Sequence, residues 1–237
     1  MKLHRFIGDF DFMNPPVRIT DSALLHQMRN VLRLKVGDEC MLADGKGNAA
    51  RAIIVSIDKK SAEVAVKHVS RNENEPERHL TLFLSLLRRE NTEWALQKGT
   101  EVGVKEFVLL QSERTVKLAM NEERMAKIVR EAAEQSGRAV VPIVRGPESL
   151  EEALRAARTF DTILFFDSSG IGWEKVKKSA GWRKGERVAI FIGPEGGWSE
   201  KEVRLAEKMG AVIVHLGKLT LRAETAAVIA SYLVLHP

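Results

Sequence analysis

The sequence predicts an α/β protein in two parts: a small barrel of short strands, then a larger domain built on a parallel sheet with helices on its faces. Three observations predict it. In the first seventy residues, short strand-like runs are separated by turn signals. Residues 71–78, RNENEPER, are polar and aperiodic, as a linker is. Beyond them, continuous apolar runs alternate with helices that carry capping signals. The expected boundaries are 1–72 for the barrel and 73–237 for the α/β domain, and 237 residues suffice for both cores.

In order, HRFIGDF is a strand and NPPVRIT an extended segment, because its two prolines forbid helix. DSALLHQMRNVLRL spaces Leu24, Leu25, Met28, Val31 and Leu32 as a helical stripe, with Asp21 or Ser22 as N-cap. Three strands follow, divided by Gly37-Asp38, DGKGN and DKKS, a spacing that suits a small barrel. LTLFLSLL is a nearly continuous apolar run, the mark of a strand covered on both faces. NTEWALQKGTEVG is a helix stopped by Gly103, and EFVLLQS a strand. NEERMAKIVREAAEQSG is a helix capped by Asn121, with two early glutamates that suit its dipole. Ser149 with Glu152 and Ser199 with Glu202 form two capping boxes. TILFF, VAIFI and AVIVHL are buried strands, and AETAAVIASYLVL is a nearly all-apolar closing helix.

Several function classes fall away. Cys40 is the lone cysteine, so an internal disulfide and a thiolate metal cluster are excluded. The six histidines show no HxxxH or HExxH spacing, and no metal site is expected. No apolar run approaches the roughly 20 residues that span a bilayer, and the charged N-terminus is not a signal peptide, so the expected compartment is the cytoplasm. The net charge of +5 suits an anionic partner, nucleic acid first.

Ligands of open parallel sheets bind beyond the carboxyl ends of the strands. Three glycine-bearing loops leave such ends here: DSSGIG, GPEGGW and GKLTLR. None is a phosphate loop. The chain has no Gly-Lys-Ser/Thr, and GPEGGW lacks the GxGxxG spacing. Pro194 removes a backbone donor and Glu195 adds a negative charge, so this loop suits a neutral or cationic ligand better than a phosphate. Its plainer reading is a tight turn before a capped helix. Arg222 faces the unfavourable end of the closing helix's dipole, which points to an anionic partner or to a structural ion pair. Glu224 and Thr225 suit helix capping as well as they suit catalysis.

MRNVLRLKVGDE, LQKGTEVGVKEF, AAEQSGR, IGPEGGWSEKE and LGKLTLRAETA occur in this order across nearly the whole chain. Together they resemble the RsmE-like methyltransferases, which methylate N3 of a uridine in small-subunit (16S) ribosomal RNA. Gly99 and Val102 stand where that family usually has Ala and Leu, and Ala223 where Thr often precedes the glutamate; neither departure removes a charged group. The resemblance implies a SPOUT-type α/β domain with a C-terminal trefoil knot, preceded by a PUA-like β-barrel that binds RNA. It also implies S-adenosylmethionine as cofactor, a homodimer, and ribosomal RNA or the small ribosomal subunit as partner.

On that resemblance the cofactor contacts are Gly193, Glu195, Gly196, Leu216, Gly217 and Leu221, with Glu195 either offsetting the sulfonium charge or ordering its loop. Arg222 stabilises charge on a uracil oxygen, while Glu224 takes the N3 proton or orients Arg222. RNA contacts are expected from Arg5, Arg29, Arg33 and Lys35 in the barrel, and from Arg114, Gln135 and Arg138 in the catalytic domain. Two alternatives stand beside this: methylation of another RNA such as tRNA, and a non-catalytic RNA-binding protein of ribosome assembly. An unusual nucleotide-dependent enzyme is disfavoured by the missing phosphate-loop spacings.

Overall fold

The computed structural model describes residues 3–71, 74–115, 120–179 and 181–236. Residues 72 and 73 of the expected linker lie outside the described residues. Two compact units emerge: Met1–Glu75 together with Ala133–Val141, and Pro76–Ala132 together with Pro142–Pro237.

In the first unit, strands β1 (His4–Ile7), β2 (Val17–Ile19), β3 (Glu39–Ala43), β4 (Asn48–Ile57) and β5 (Ala62–Arg71) form one mixed sheet in the order β1-β3-β4-β5-β2. It is curled and barrel-like, preceding the α/β unit as expected. Register shifts at Arg51/Ala52 and Ile54/Ser56 bend the long β4–β5 pair. The inward residues Phe6, Met28, Leu42 and Ile54 are fully buried. The stripe from Leu24 to Leu32 does not form one α-helix. Helix α1 (Ser22–His26), capped by the Asp21 carboxylate on the Leu24 amide at 2.8 Å, widens into a π turn over Gln27–Val31. That turn keeps Met28 in the core and turns Val31, 63% exposed, out to solvent.

The segment 133–141 completes this unit. Ala133 and Ala139 pack with Ile7, Ala43 and Ala49, and Val140 bridges to Lys46. Apolar periodicity gave no hint of this return, since alanines are ordinary in any helix.

The second unit alternates strands and helices: β6 (His79–Ser85), α2 (Arg89–Val102), β7 (Glu106–Gln111), α3 (Glu122–Ser136), β8 (Ile143–Ser149), α4 (Leu150–Ala157), β9 (Thr162–Gly172), α5 (Trp173–Ser179), β10 (Arg187–Ile192), α6 (Glu200–Lys208), β11 (Val212–His215) and α7 (Ala223–Leu235). All the strands of its sheet run parallel, in the order β11-β9-β10-β6-β7-β8. This is the α/β architecture the alternation predicts. Strand β8 was illegible because it lies at an edge, half-exposed and interrupted by Pro147, rather than as an apolar run. Phe83 and Phe191 stack at 4.4 Å in the core, and Trp198 lies 4.5 Å from the Phe165 ring. Both capping boxes form, the Asn121 side chain accepts from the Arg124 amide at 2.9 Å, and α2 ends on Gly103 in the left-handed conformation.

DSSGIG is no loop beyond a strand end. Ile213 of β11 pairs with Phe165 and Val214 with Ile171, so β9 bulges out of the ladder between residues 165 and 171 and then rejoins it. Gly170 permits this, because a Cβ there would meet the Ile213 carbonyl carbon and the Val214 nitrogen at 2.4 Å.

Gly99 also has a packing reason. A Cβ at this position would stand 2.7 Å from the fully buried Phe107 ring. Helix propensity alone makes Gly99→Ala stabilising by up to about 1 kcal/mol, but overpacking costs about 1–3 kcal/mol. The expected result is a variant no more stable than wild type in urea melts. A gain near 1 kcal/mol would show that Phe107 yields freely.

Candidate active site

The chain order turns back at β6: the chain moves outward to β7 and β8, then returns to the other side through β9, β10 and β11. Such a switch point opens a crevice at the carboxyl edge of a sheet. A cavity of about 730 Å³ lies there, lined from the ends of five adjacent strands, with Arg114 following β7. Arg88 and Asn91 follow β6, and Phe166 to Ser168 come from the β9 bulge. Gly193–Trp198 follow β10, Leu216–Arg222 follow β11, and Ala223, Glu224 and Ala226 open α7.

The loop after β10 is pinned on both sides. The Glu195 carboxylate accepts from the Arg88 amide at 3.2 Å and from Asn91 Nδ2 at 3.4 Å. Arg88 is the N-cap of α2 and has no side-chain cap of its own, so Glu195 supplies the missing acceptor at the positive end of that helix. Across the loop, Arg114 donates to the Gly196 carbonyl at 2.8 Å and the Trp198 carbonyl at 3.3 Å. Trp198 Nε1 donates to the Phe166 carbonyl at 3.1 Å, tying the loop to the β9 bulge. Gly193 lies beneath that indole, where a Cβ would come to 3.0 Å of the ring. Glu202 then caps α6 and accepts from the Glu113 amide at 2.9 Å.

The far wall is the start of α7. Arg222 is its N-cap, extended at φ −64° and ψ 150°, exposed, and without a capping bond. Glu224, in the first turn, is buried, and its Oε2 has no hydrogen-bond partner among the described residues. The same holds for His215 Nδ1 on the end of β11. Exposed cations rim the cavity at Arg88, Arg114, Lys218 and Arg222, and Asp167, Glu195 and Glu224 bring the opposite charge.

Every residue proposed from the sequence for cofactor contact or catalysis lines this one cavity: Gly193, Glu195, Gly196, Leu216, Gly217, Leu221, Arg222 and Glu224. Arg114 stands there too, as a clamp on the loop. The sequence reading missed Arg88, Asn91, Asp167 and His215; the strand-end rule, applied also to LTLFLSLL, would have found the first two.

The remaining proposed RNA contacts lie in the first unit. Arg29 is half-buried, and Arg33 and Lys35 are exposed. Arg33, at φ 56°, is the one non-glycine residue with positive φ among the described residues, a conformation that costs on the order of 1 kcal/mol. Gln135 is exposed. Arg5 is half-buried and donates to the Arg138 carbonyl at 3.3 Å. Arg138 corrects the sequence reading: it is 3% exposed and its guanidinium is committed to Glu75 at 2.8 Å, so no cation is presented there to a phosphate. Among the described residues, no group of three His, Cys, Asp or Glu side chains could hold a metal ion, and no helix is long and apolar enough to cross a membrane.

Comparison with known proteins matches residues 73–235 to an RNA methyltransferase domain and residues 19–67 to an RNA methyltransferase PUA domain. The chain is 32% identical over 212 residues to the ribosomal RNA small subunit methyltransferase E of Bacillus subtilis, covering 85% of this chain and 83% of that protein. Its structure is similar to that of a ribosomal RNA small subunit methyltransferase E from Neisseria gonorrhoeae bound to S-adenosyl methionine. There the TM-score is 0.86 and the identity 31%, over 97% of this chain and 95% of the other. A methyltransferase from Legionella pneumophila in complex with the same cofactor matches with a TM-score of 0.87 at 25% identity, over 99% of this chain and 97% of that one.

Proposed function

The chain belongs to the ribosomal RNA small subunit methyltransferase E family, and from that premise we propose that the cavity at the β6 switch point is where it methylates N3 of a uridine. The protein is an S-adenosylmethionine-dependent methyltransferase of small-subunit ribosomal RNA. The uridine N3 acceptor, the residue roles, the homodimer and the knotted path are our reading.

One observation carries it: the loops after β10 and β11 line the same cavity as a buried carboxylate oxygen, Glu224 Oε2, that lacks a partner among the described residues. A buried acceptor without a donor is costly, and a cationic or hydrogen-bonding ligand relieves that cost. The residues therefore fit the cofactor. Gly193, Gly196, Leu216, Gly217 and Leu221 border it through loops with little side-chain bulk, and Glu195 keeps its loop against α2.

When bound, the cofactor offers a methyl group on a sulfonium, with a neutral thioether as leaving group. Transfer of that methyl group to N3 would release the N3 proton, which a base of this chain would have to take. Arg222 meets the negative charge that gathers on the uracil oxygen as that proton leaves. Glu224 either receives the proton or holds Arg222 in place. The cavity walls would supply alignment, which for such a transfer means reacting atoms about 3–3.5 Å apart.

Two measurements test the reading. Calorimetry should show saturable binding of S-adenosylmethionine, and nucleoside mass spectrometry should find 3-methyluridine in small-subunit ribosomal RNA only from cells that carry the gene. A normal 3-methyluridine level without the gene would refute the assignment. Glu195→Ala, which removes the acceptor for the Arg88 amide and Asn91, should weaken cofactor binding about tenfold, the order of one charge-assisted hydrogen bond. Unchanged affinity would mean the loop holds its shape without that carboxylate.

Residues 1–72, with Arg5, Arg29, Arg33 and Lys35, are proposed as the RNA-binding barrel, and 73–237 as the catalytic domain, acting in the cytoplasm. A second copy of the chain is proposed to cover the α2–α7 face, where Trp94, Ile229 and Tyr232 are 41%, 36% and 53% exposed. Cross-linking to bound RNA and light scattering test these readings, an RNA-free barrel or a monomeric mass refuting them.

A further inference from the structure

A second cavity, of about 360 Å³, opens at the same edge of the sheet. Leu86 and Leu87 line it just after β6, Arg89, Thr92 and Glu93 from α2, and Met120, Asn121, Arg124 and Met125 around the start of α3. Its size falls within the range of small-molecule sites, roughly 300–1,000 Å³. Helix α2 links it to the first cavity: Arg88 and Asn91 line one, Arg89 and Glu93 the other.

The chemistry of its wall is divided. Leucine and methionine supply an apolar part, and methionine adapts to flat ring faces. The other part is charged, with Glu93 holding two guanidinium groups in place. Its Oε1 accepts from Arg89 Nε at 3.0 Å and Arg124 Nε at 2.5 Å, and its Oε2 from Arg124 Nη2 at 2.6 Å. Those contacts leave Nη1 and Nη2 of Arg89 and Nη1 of Arg124 without a hydrogen bond to any described residue. Arg124, foremost, and Arg89 hold the Glu93 carboxyl down at about 2, so it remains an anion and the trio carries a fixed net charge of one positive unit. A planar fork of unengaged donors, oriented by a neighbour, suits a phosphate oxyanion.

We propose that this second cavity takes a nucleotide of the bound RNA adjacent to the one that is methylated, its phosphate on Arg89 and Arg124 and its base against the Leu87, Met120 and Met125 wall. The inference rests on the RNA methyltransferase reading of the first cavity. Single-stranded RNA is recognised in this manner, through unstacked bases laid on apolar surface with the backbone held by cations.

The test uses the full chain with R89Q and R124Q combined, and unmethylated small-subunit ribosomal RNA as probe. Cofactor affinity should stay within twofold of wild type, while RNA affinity falls at least tenfold and the loss in methylation appears in KM. The slope of log affinity against log salt should shrink by about 0.7 for one lost single-strand phosphate contact. RNA affinity and salt slope equal to wild type, with the cofactor still bound, would overturn the subsite and leave the family reading intact. A wild-type protein that transfers no methyl group to this RNA would instead overturn the reading beneath it. Should the double variant fail to bind cofactor because Glu93 has lost its partners, the wild type decides. Photo-cross-linking to 4-thiouridine-substituted RNA must then label the peptide holding Met120 and Met125, and absence of that label refutes the proposal.

Discussion

Arg222→Ala should lower the single-turnover rate of methyl transfer by about 10²–10³-fold in the proposed role, the effect of removing one preorganised donor from a site of developing negative charge. The reasoning starts from position. Arg222 is the N-cap of α7, its carbonyl accepts from the Ala226 amide at 2.8 Å, and its side chain makes no capping bond. Alanine therefore keeps the backbone bond that starts the helix, and the fold should hold. What disappears is an exposed guanidinium on the wall of the cavity, set at a helix end whose dipole disfavours it. Placing a cation there costs stability unless an anion arrives. Arg222→Lys should restore part of the rate, since charge returns without the planar fork. Cofactor affinity within a few-fold of wild type, measured by calorimetry, would localise the loss to transfer. A rate within threefold of wild type would remove Arg222 from the mechanism.

Glu75→Ala destabilises the first unit by about 3–5 kcal/mol, the cost of leaving a buried charge without its partner. The Arg138 side chain is 4% exposed and that of Glu75 13%. Both Glu75 oxygens accept from Arg138, and the Val140 amide donates to Oε1 at 3.3 Å, so one carboxylate holds both ends of the 138–140 turn. It acts on Arg5 as well: burial pulls the Arg5 guanidinium below its ordinary range, and the charge of Glu75 opposes that shift. Without Glu75, two cations in one partly buried region lose their common anion. Glu75→Gln keeps acceptor capacity without the charge and should lie between alanine and wild type. The unit holds none of the four tryptophans, so fluorescence would miss the loss. Urea melts by circular dichroism and hydrogen exchange over residues 133–141 would read it, and unchanged protection there would show that the pair carries little.

Local signals proved legible wherever one stretch of chain carried the whole reason. Capping boxes at Ser149 and Ser199 form because the serine and the glutamate three residues later satisfy each other's backbone. Buried strands such as LTLFLSLL were visible because both faces are covered and apolar residues dominate, with Thr81 and Ser85 buried among them. The cavity loops were visible because glycine-bearing segments follow two apolar strands at the edge where ligands of parallel sheets bind. Legibility failed where a distant partner supplied the reason. Gly170 looked like part of a loop until β11 was seen against it. Gly99 looked like a flaw in a helix until Phe107 filled its place. Glu195 has its partners, Arg88 and Asn91, more than a hundred positions earlier in the chain, where no local pattern points to them.

By itself, then, the order of residues determined the alternation of strand and helix in the second unit, where the capped helices begin, and which two loops lie at one cavity. Each of these follows from torsional preference, capping and burial within a dozen neighbours. Only the tertiary structure decided that the strands line up as β11-β9-β10-β6-β7-β8, that Glu195 caps a helix from the loop after the neighbouring strand, and that Arg138 is a buried structural cation. Those outcomes depend on contacts between residues far apart in the chain, whose energies exist only once the folded backbone has brought them within hydrogen-bonding reach.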